Sequence, residues 1–353
     1  SYSFAIPLPL ITTNRPFLAD VHPAFGVWHY ADSAVHESAC FRQVYHKNAF
    51  GARDRERNLR SARPRTVVLG DSFVEGYGVS QAERFTDRLE AAVGKEMLNF
   101  GTSGHFGPTQ AYLQYRHLAR WFDHQNVVLC VLPWNDFAED DYELCRSLPA
   151  FATRYRPYWV GHPGTYQLRY WVDSLPKSDW YPDRIRQVYA AQQRGQRPEQ
   201  EISRTALQKL IHGLESYSYL YNLIHSSLNS ANPPSRFFHY QPEEYERLLH
   251  SIRRLKTEVG RMKLFVVTLP TRNDFQEATP HFGKSPLATQ LAADLRRESI
   301  EYVDLLETML NRQPDWNTLF FSCDGHWNAV GHALAAECLR THPALSSAFS
   351  FEK

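Results

Sequence analysis

The sequence predicts a doubly wound α/β fold, a parallel sheet with helices on both faces. Two observations carry this. Five short strand-like runs alternate with longer stretches of helical period, and strands that alternate with helices build parallel sheets. Several of the runs end abruptly in turns rich in glycine, aspartate or asparagine. In open α/β sheets the ligand site lies at the carboxyl ends of the strands. At 353 residues the chain can bury a sizeable core, as one elaborated domain or as two.

The elements follow in order. Residues 1–63 lack a sustained period and read as an N-terminal extension packed on the core. The first part of the core spans 64–139. Its opening strand, Thr66–Leu69, runs into Gly70-Asp71-Ser72, and a helical stretch follows near Ala82–Val93. A second strand, Met97–Phe100, enters the glycine-rich loop Gly101-Thr-Ser-Gly104, with a helix near Pro108–Phe122. A third strand, Asn126–Leu132, places Asn135 just past its end.

Residues 140–240 separate the third strand from the fourth, far more than a crossover needs. This reads as an insertion rich in arginine and aromatics: Tyr155, Tyr158, Trp159, Tyr166, Tyr170, Trp171, Trp180 and Tyr181. Ile202–Leu228 within it has a helical pattern. The aromatics are placed to stack on sugar rings or line an acyl pocket, or else to pack the insertion's own core. The second part of the core, 241–353, holds a helix at Gln241–Val259, a strand at Lys263–Leu269 and a helix at Leu287–Glu298. A last strand at Glu301–Leu305 precedes Cys323-Asp-Gly-His-Trp-Asn328 and the alanine-rich helical run Ala329–Leu339.

Four of these turns carry side chains of chemical use. A serine delivered by a buried strand to a tight turn before a helix is presented to substrate, beside backbone N–H groups that can face negative charge. Ser72 has that position. Gly104 lets a backbone N–H approach a ligand closely, because no Cβ obstructs it. The Asn135 amide is a further donor, and it is also a residue type that satisfies local turn amides. His326 and Asp324 stand two residues apart before a helix. His332 is the rival imidazole, but it falls inside the helical run and reads as a packing residue. Asp71 reads as structural, bonding nearby backbone.

Together the four blocks resemble the SGNH (GDSL-type) hydrolase family, which takes Ser, Gly, Asn and His from separated blocks in that chain order. The matching positions are Ser72, Gly104, Asn135 and His326, and the resemblance covers about 64–145 and 250–340. It implies a flavodoxin-like sheet of order 2-1-3-4-5. It implies a nucleophile at Ser72, a general base at His326, and an oxyanion hole from the Ser72 and Gly104 backbones and the Asn135 amide. No cofactor is implied. Two positions depart from the family pattern. Pro133-Trp134 precede Asn135-Asp136 where Gly-x is usual, and Cys323 stands three before His326 where aspartate is common. Asp324 is the carboxylate in reach. That spacing is similar to the branch that includes alginate O-acetylation proteins. Asn48-x-x-Gly51-x-Arg53 also resembles a segment that precedes the serine block in bacterial members, which points to an extracytoplasmic setting.

A serine hydroxyl is a poor nucleophile at neutral pH until an imidazole accepts its proton, and a carboxylate holds that imidazole's tautomer. The expected activity is therefore acyl-ester hydrolysis on a short-chain or carbohydrate ester. Transfer to a sugar hydroxyl uses the same residues. Phospholipid hydrolysis, an acyl carrier discharged by a partner, and a non-catalytic glycan-binding module remain alternatives. The stretch around Ser72 does not follow the Gly-x-Ser-x-Gly elbow of α/β-hydrolases.

Composition narrows the partners. Net charge is +1, and the one basic cluster, Arg53–Arg65, is interleaved with Asp54 and Glu56, which argues against nucleic acid. No run of 18 apolar residues predicts a membrane span. The apolar Ser1–Thr12 segment is either what remains of a removed signal or anchor, or an ordinary packed arm. His22, His29, His36 and His46 lack the paired spacing of a zinc site, so no metal is expected. Five cysteines do not form a disulfide framework. Cys130 reads as a small core hydrophobe, and one bridge among Cys40, Cys145, Cys323 and Cys338 is left open. The oligomeric state is not legible.

Overall fold

A computed structural model of the chain describes residues 21–22, 24–29, 33–37, 40–147, 156–170, 234–278, 285–313 and 315–345. Two short antiparallel hairpins come first, β1 (Val21–His22) with β2 (Gly26–Val27) and β3 (Ser33–Glu37) with β4 (Arg42–His46). The main sheet begins with β5 (Arg65–Gly70), followed by α1 (Ser72–Glu75) and α2 (Phe85–Val93). Next come β6 (Glu96–Gly101), α3 (Pro108–His117), β7 (Asn126–Val131) and α4 (Pro133–Glu139). The described parts of the insertion are α5 (Tyr142–Ser147) and the hairpin of β8 (Pro157–Val160) with β9 (Gln167–Tyr170). The chain returns through α6 (Pro242–Val259), β10 (Lys263–Thr268), α7 (Arg272–Ala278) and α8 (Pro286–Arg297). It ends with β11 (Glu301–Asp304), α9 (Leu305–Leu310) and α10 (Ala329–Thr341).

Five parallel strands form one sheet in the order β11-β10-β7-β5-β6. Numbered along the sheet's own strands, that is 2-1-3-4-5, the order the resemblance implied. The expected strands and core helices all form, with ends within a few residues of those predicted. In the inner strands β5, β7 and β10 the runs Val67–Leu69, Val127–Val131 and Leu264–Val267 are continuously apolar because both faces are covered. On β7, Val127, Leu129 and Val131 enter one core with α3, α6 and α8. Val128 and Cys130 enter the other with α2, α9 and α10. Side chains that alternate across a strand thus feed two separate cores. Cys130 packs there as expected.

The N-terminal arm contributes to the core rather than standing apart. Phe25, Trp28 and Ala52 join the α3–α6 side. In the insertion, Trp159 packs on Tyr112 and His250, with ring centroids 5.9 and 4.5 Å apart. Tyr158 meets Tyr142 at 5.5 Å, and the Tyr170 hydroxyl donates to the Ala24 carbonyl at 2.8 Å. These aromatics are therefore packing residues, the blander of the two readings. Tyr155, Trp171, Trp180, Tyr181 and the expected 202–228 helix lie outside the described residues. Among the described residues, no helix is long and apolar enough to cross a membrane.

Candidate active site

Ser72 is the first residue of α1, directly beyond β5. The Asp71 carboxylate accepts the Phe73 N–H at 3.0 Å and so caps the short helix. Gly101 allows α1 to lie against the end of β6, since a Cβ there would fall 2.1 Å from the Glu75 nitrogen. A four-residue helix leaves its last carbonyls unpaired, and buried carbonyls need donors. Asn99 donates to the Val74 carbonyl at 2.7 Å. The buried Arg53 guanidinium donates to the carbonyls of Glu75, Gly76 and Val79. It lies over the Tyr45 ring, whose hydroxyl accepts the Gly78 N–H at 2.7 Å. The arm's Asn48–Arg53 segment thus fixes the turn that presents Ser72.

The four sequence blocks converge at the carboxyl end of the sheet. Ser72 Oγ lies 2.8 Å from His326 Nε2, across 254 residues of sequence. His326 Nδ1 bonds Asp324 Oδ1, and the same oxygen accepts the His326 backbone N–H at 2.9 Å. With the imidazole proton on Nδ1 and donated to Asp324, Nε2 is left to accept the Ser72 hydroxyl. Burial opposes ionisation of Asp324, but the hydrogen bond and charge of His326 outweigh it and hold the carboxyl below its usual range. The Phe73 and Tyr77 rings lie 5.0 and 4.6 Å from the imidazole. Burial first, then the Asp324 and Glu75 charges, push the Tyr77 phenol up to about 12, so it stays neutral.

Asn135 sits in the first turn of α4 and donates through Nδ2 to Asp71 Oδ2 at 3.4 Å. Asp71 therefore does more than bond nearby backbone: it sets the direction of the Asn135 amide. Burial raises the Asp71 carboxyl to about 6, against the pull of the Phe73 N–H and His326. Beneath it Asp136 accepts the Leu132 N–H at 2.8 Å. Its carboxyl is pushed well above the carboxylate range by burial, then by Asp71, Glu139 and Asp140.

Gly104 has φ +102°, a backbone state that favours glycine. Its loop is tied on both sides. Glu75, fully buried at the end of α1, accepts the Ser103 N–H at 2.9 Å as well as the Ser103 hydroxyl. On the other side Glu139 bonds the His105 ring at 2.6 Å, and buried Arg156 donates to the His105 carbonyl. Ser72, Gly104, Asn135, Asp324 and His326 are all partly exposed, while most of these supports are buried. His332, the rival imidazole, is buried edge-on to Trp327 and accepts the Phe85 N–H. Burial, then the charges of Arg84 and Arg53, push it down to about 3, so it stays neutral.

One element was left open by the sequence. Cys40 and Cys323 form a disulfide, with Cα atoms 6.0 Å apart, joining the arm to the loop of Asp324 and His326. Cys130, Cys145 and Cys338 are buried free thiols. The sequence left one bridge open among Cys40, Cys145, Cys323 and Cys338, and nothing in it chose this pair. The roles of Glu75, Arg53, Tyr77, Glu139 and Arg156 were also missed. Their contacts span dozens of residues or cross between elements, and no short motif records them.

No protein-family profile matches this chain, and no curated protein does. Solved structures share a distant likeness. One is a member of the lipolytic protein G-D-S-L family from Veillonella parvula, at 12% identity and a TM-score of 0.37, covering 78% of this chain and 94% of that one. Another, from Myceliophthora fergusii, is a carbohydrate esterase family 2 enzyme with a carbohydrate-binding domain. It has 12% identity and a TM-score of 0.41, with 84% and 69% of the two chains covered. A salicylyl-acyltransferase from a tetracycline biosynthetic pathway has 13% identity and a TM-score of 0.38, with 82% and 57% covered. These likenesses are too remote to carry chemistry from those proteins to this chain.

Proposed function

We propose that the chain is a serine-dependent acyl-ester hydrolase or acyltransferase of the SGNH type. The observation that carries this is the relay of Ser72, His326 and Asp324, with Ser72 Oγ 2.8 Å from His326 Nε2 and Asp324 on Nδ1. In this reading His326 takes the hydroxyl proton as Ser72 Oγ attacks the ester carbonyl. Asp324 stabilises the imidazolium that forms. The tetrahedral oxyanion is met by the Ser72 and Gly104 backbone N–H groups and the Asn135 amide. His326 then returns the proton to the departing alcohol. A second acceptor, water or a sugar hydroxyl, releases the acyl group from Ser72 by the same steps in reverse order. No step calls on a cofactor.

Short-chain or carbohydrate esters are the proposed substrates. Trp134, exposed beside Asn135, supports a ring-bearing substrate, because an indole offers a flat face for stacking. The disulfide supports an exported protein, since such bonds persist in oxidising compartments. In domain terms, the core is assigned to 64–139 and 241–353, with the arm and the 140–240 insertion as additions. The test is intact mass and peptide mapping after treatment with a fluorophosphonate. A single adduct on Ser72 is expected, absent in Ser72→Ala. Folded protein that takes no adduct would reject the acyl-enzyme and leave a glycan-binding module as the better reading.

A further inference from the structure

We infer that the Cys40–Cys323 disulfide is a redox-sensitive clamp that positions Asp324 against His326. This rests on the esterase reading above. The loop is anchored at both ends but open at its tip. On one side the Phe321 N–H donates to the His326 carbonyl at 3.0 Å, and Arg272 donates to the Phe321 carbonyl at 3.0 Å. On the other, Trp327 is fully buried and its indole donates to the Pro270 carbonyl at 3.2 Å. Ser322, Cys323 and Gly325 between them are exposed. Asp324 lies in this tip. The hydrogen bonds found for its side chain are to His326, the residue it has to hold.

The disulfide fastens the tip at the residue next to Asp324. Its other end is in the arm, where Phe41 follows Cys40 and packs on Tyr77 at 5.2 Å and Phe321 at 5.4 Å. Tyr77 in turn lies against the imidazole. Covalent bond and aromatic contacts therefore act on one small loop. The arm itself is held elsewhere by Arg53, Phe25 and Trp28 in the core, so opening the bridge leaves the fold its own support.

Cys323 is an exposed residue, so in this proposal a dithiol reductant reaches the bridge from that side. Its thiolate attacks one sulfur of the bridge, the other leaves as a thiolate and takes a proton, and the reductant's second thiol resolves the mixed disulfide. Two electrons and two protons pass to Cys40 and Cys323, which become thiols, and the dithiol becomes its own disulfide. With the tip released, Asp324 no longer holds the imidazole in one orientation, and Ser72 loses activation.

The experiment compares fluorophosphonate labelling of Ser72 in oxidised and dithiothreitol-reduced protein, in wild type and in Asp324→Asn. Amide exchange at 322–326 and in the strands of the sheet is followed in parallel. Reduction is expected to slow wild-type labelling roughly tenfold, reversibly on reoxidation, and to leave Asp324→Asn unchanged, since coupled residues are non-additive. The double variant Cys40→Ser, Cys323→Ser should be slow without reductant. Exchange should rise at 322–326 and not in the strands. Equal wild-type rates in both states, an equal slowing in Asp324→Asn, or loss of strand protection on reduction would each overturn the clamp. Absence of labelling in the oxidised protein would instead sink the esterase reading. Exchange at 322–326 would then decide the clamp alone, with unchanged values rejecting it.

Discussion

The serine end and the histidine end of the site are held in opposite ways. Ser72 stands on a helix whose carbonyls, neighbouring loop and capping carboxylate are all buried and bonded, to Arg53, Asn99, Glu75 and Asp71. Asp324 and His326 stand on a loop with exposed residues at its tip, held by one disulfide and the packing of Phe41, Tyr77 and Trp327. The supports of the serine end are part of the core, so removing one disturbs the whole fold, although Ser72 itself is partly exposed. The histidine end is a local structure that can be released while the sheet stays intact.

The comparison breaks most sharply at the relay itself. Ser72→Ala and His326→Ala should each lower turnover by about 10⁴-fold or more, with unchanged melting behaviour. A His326→Ala enzyme with near wild-type turnover would remove the general base from the proposal.

Arg53 tests the serine end. Arg53→Ala strips donors from three buried carbonyls and leaves a void under Tyr45. A loss of about 3 kcal/mol or more of global stability is expected, measured as a shift in urea midpoint at constant slope. If the midpoint moved by less than the equivalent of about 1 kcal/mol, the buried-network account of this end would be wrong.

Asn135→Ala should lower kcat about a hundredfold, near 3 kcal/mol, with little change in KM, because the donor acts mainly in the transition state. Equal kcat values for wild type and variant would return Asn135 to the role of a turn residue.

How much of this was legible depends on the range of the signal. The three inner strands were readable because each holds a contiguous apolar run, as in Val127–Leu132, and burial on both faces removes the alternation that would confuse the reading, whereas the edge strands are interrupted by Asn99 and Asp304 and were placed by their spacing between helical stretches. That Ser72 and His326 come together was readable because each lies in a short block at a strand or helix end, and the order of the blocks suggested one site. Glu75 was not readable, although it stands only three residues after Ser72. Its partner Ser103 is brought to it by β6, and a lone glutamate on a short helix looks like a solvated residue. In the sequence Cys323 is the wrong residue to orient a histidine and one of four candidates for a single bridge. Its pairing with Cys40 depends on how an aperiodic arm folds back over the sheet, which local pattern does not encode.

The smallest expected effect lies at the serine end, at Asp71, which caps the serine helix and accepts from the Asn135 amide. Asp71→Asn keeps an oxygen for the Phe73 N–H but offers its own NH₂ to the NH₂ of Asn135. The Asn135 donor should lose its fixed direction, and kcat should fall by roughly tenfold, less than when the donor is removed outright. Stability should move the other way. The folded-state carboxyl titrates at about 6, above its ordinary 3.8. Between those values the folded protein holds a proton that the unfolded chain has released, so wild-type stability declines as pH rises from about 4 to about 6. The asparagine does not titrate. The variant should therefore gain on wild type across that window and keep the advantage above it, by on the order of 2–3 kcal/mol at most. Melting curves at pH 4, 5, 6 and 7, with kcat at pH 7, check both halves. A variant that is slower but gains nothing in stability with pH would show that Asp71 is not buried as a strained carboxylate. One that gains stability and keeps wild-type kcat would show that Asn135 is oriented by something else.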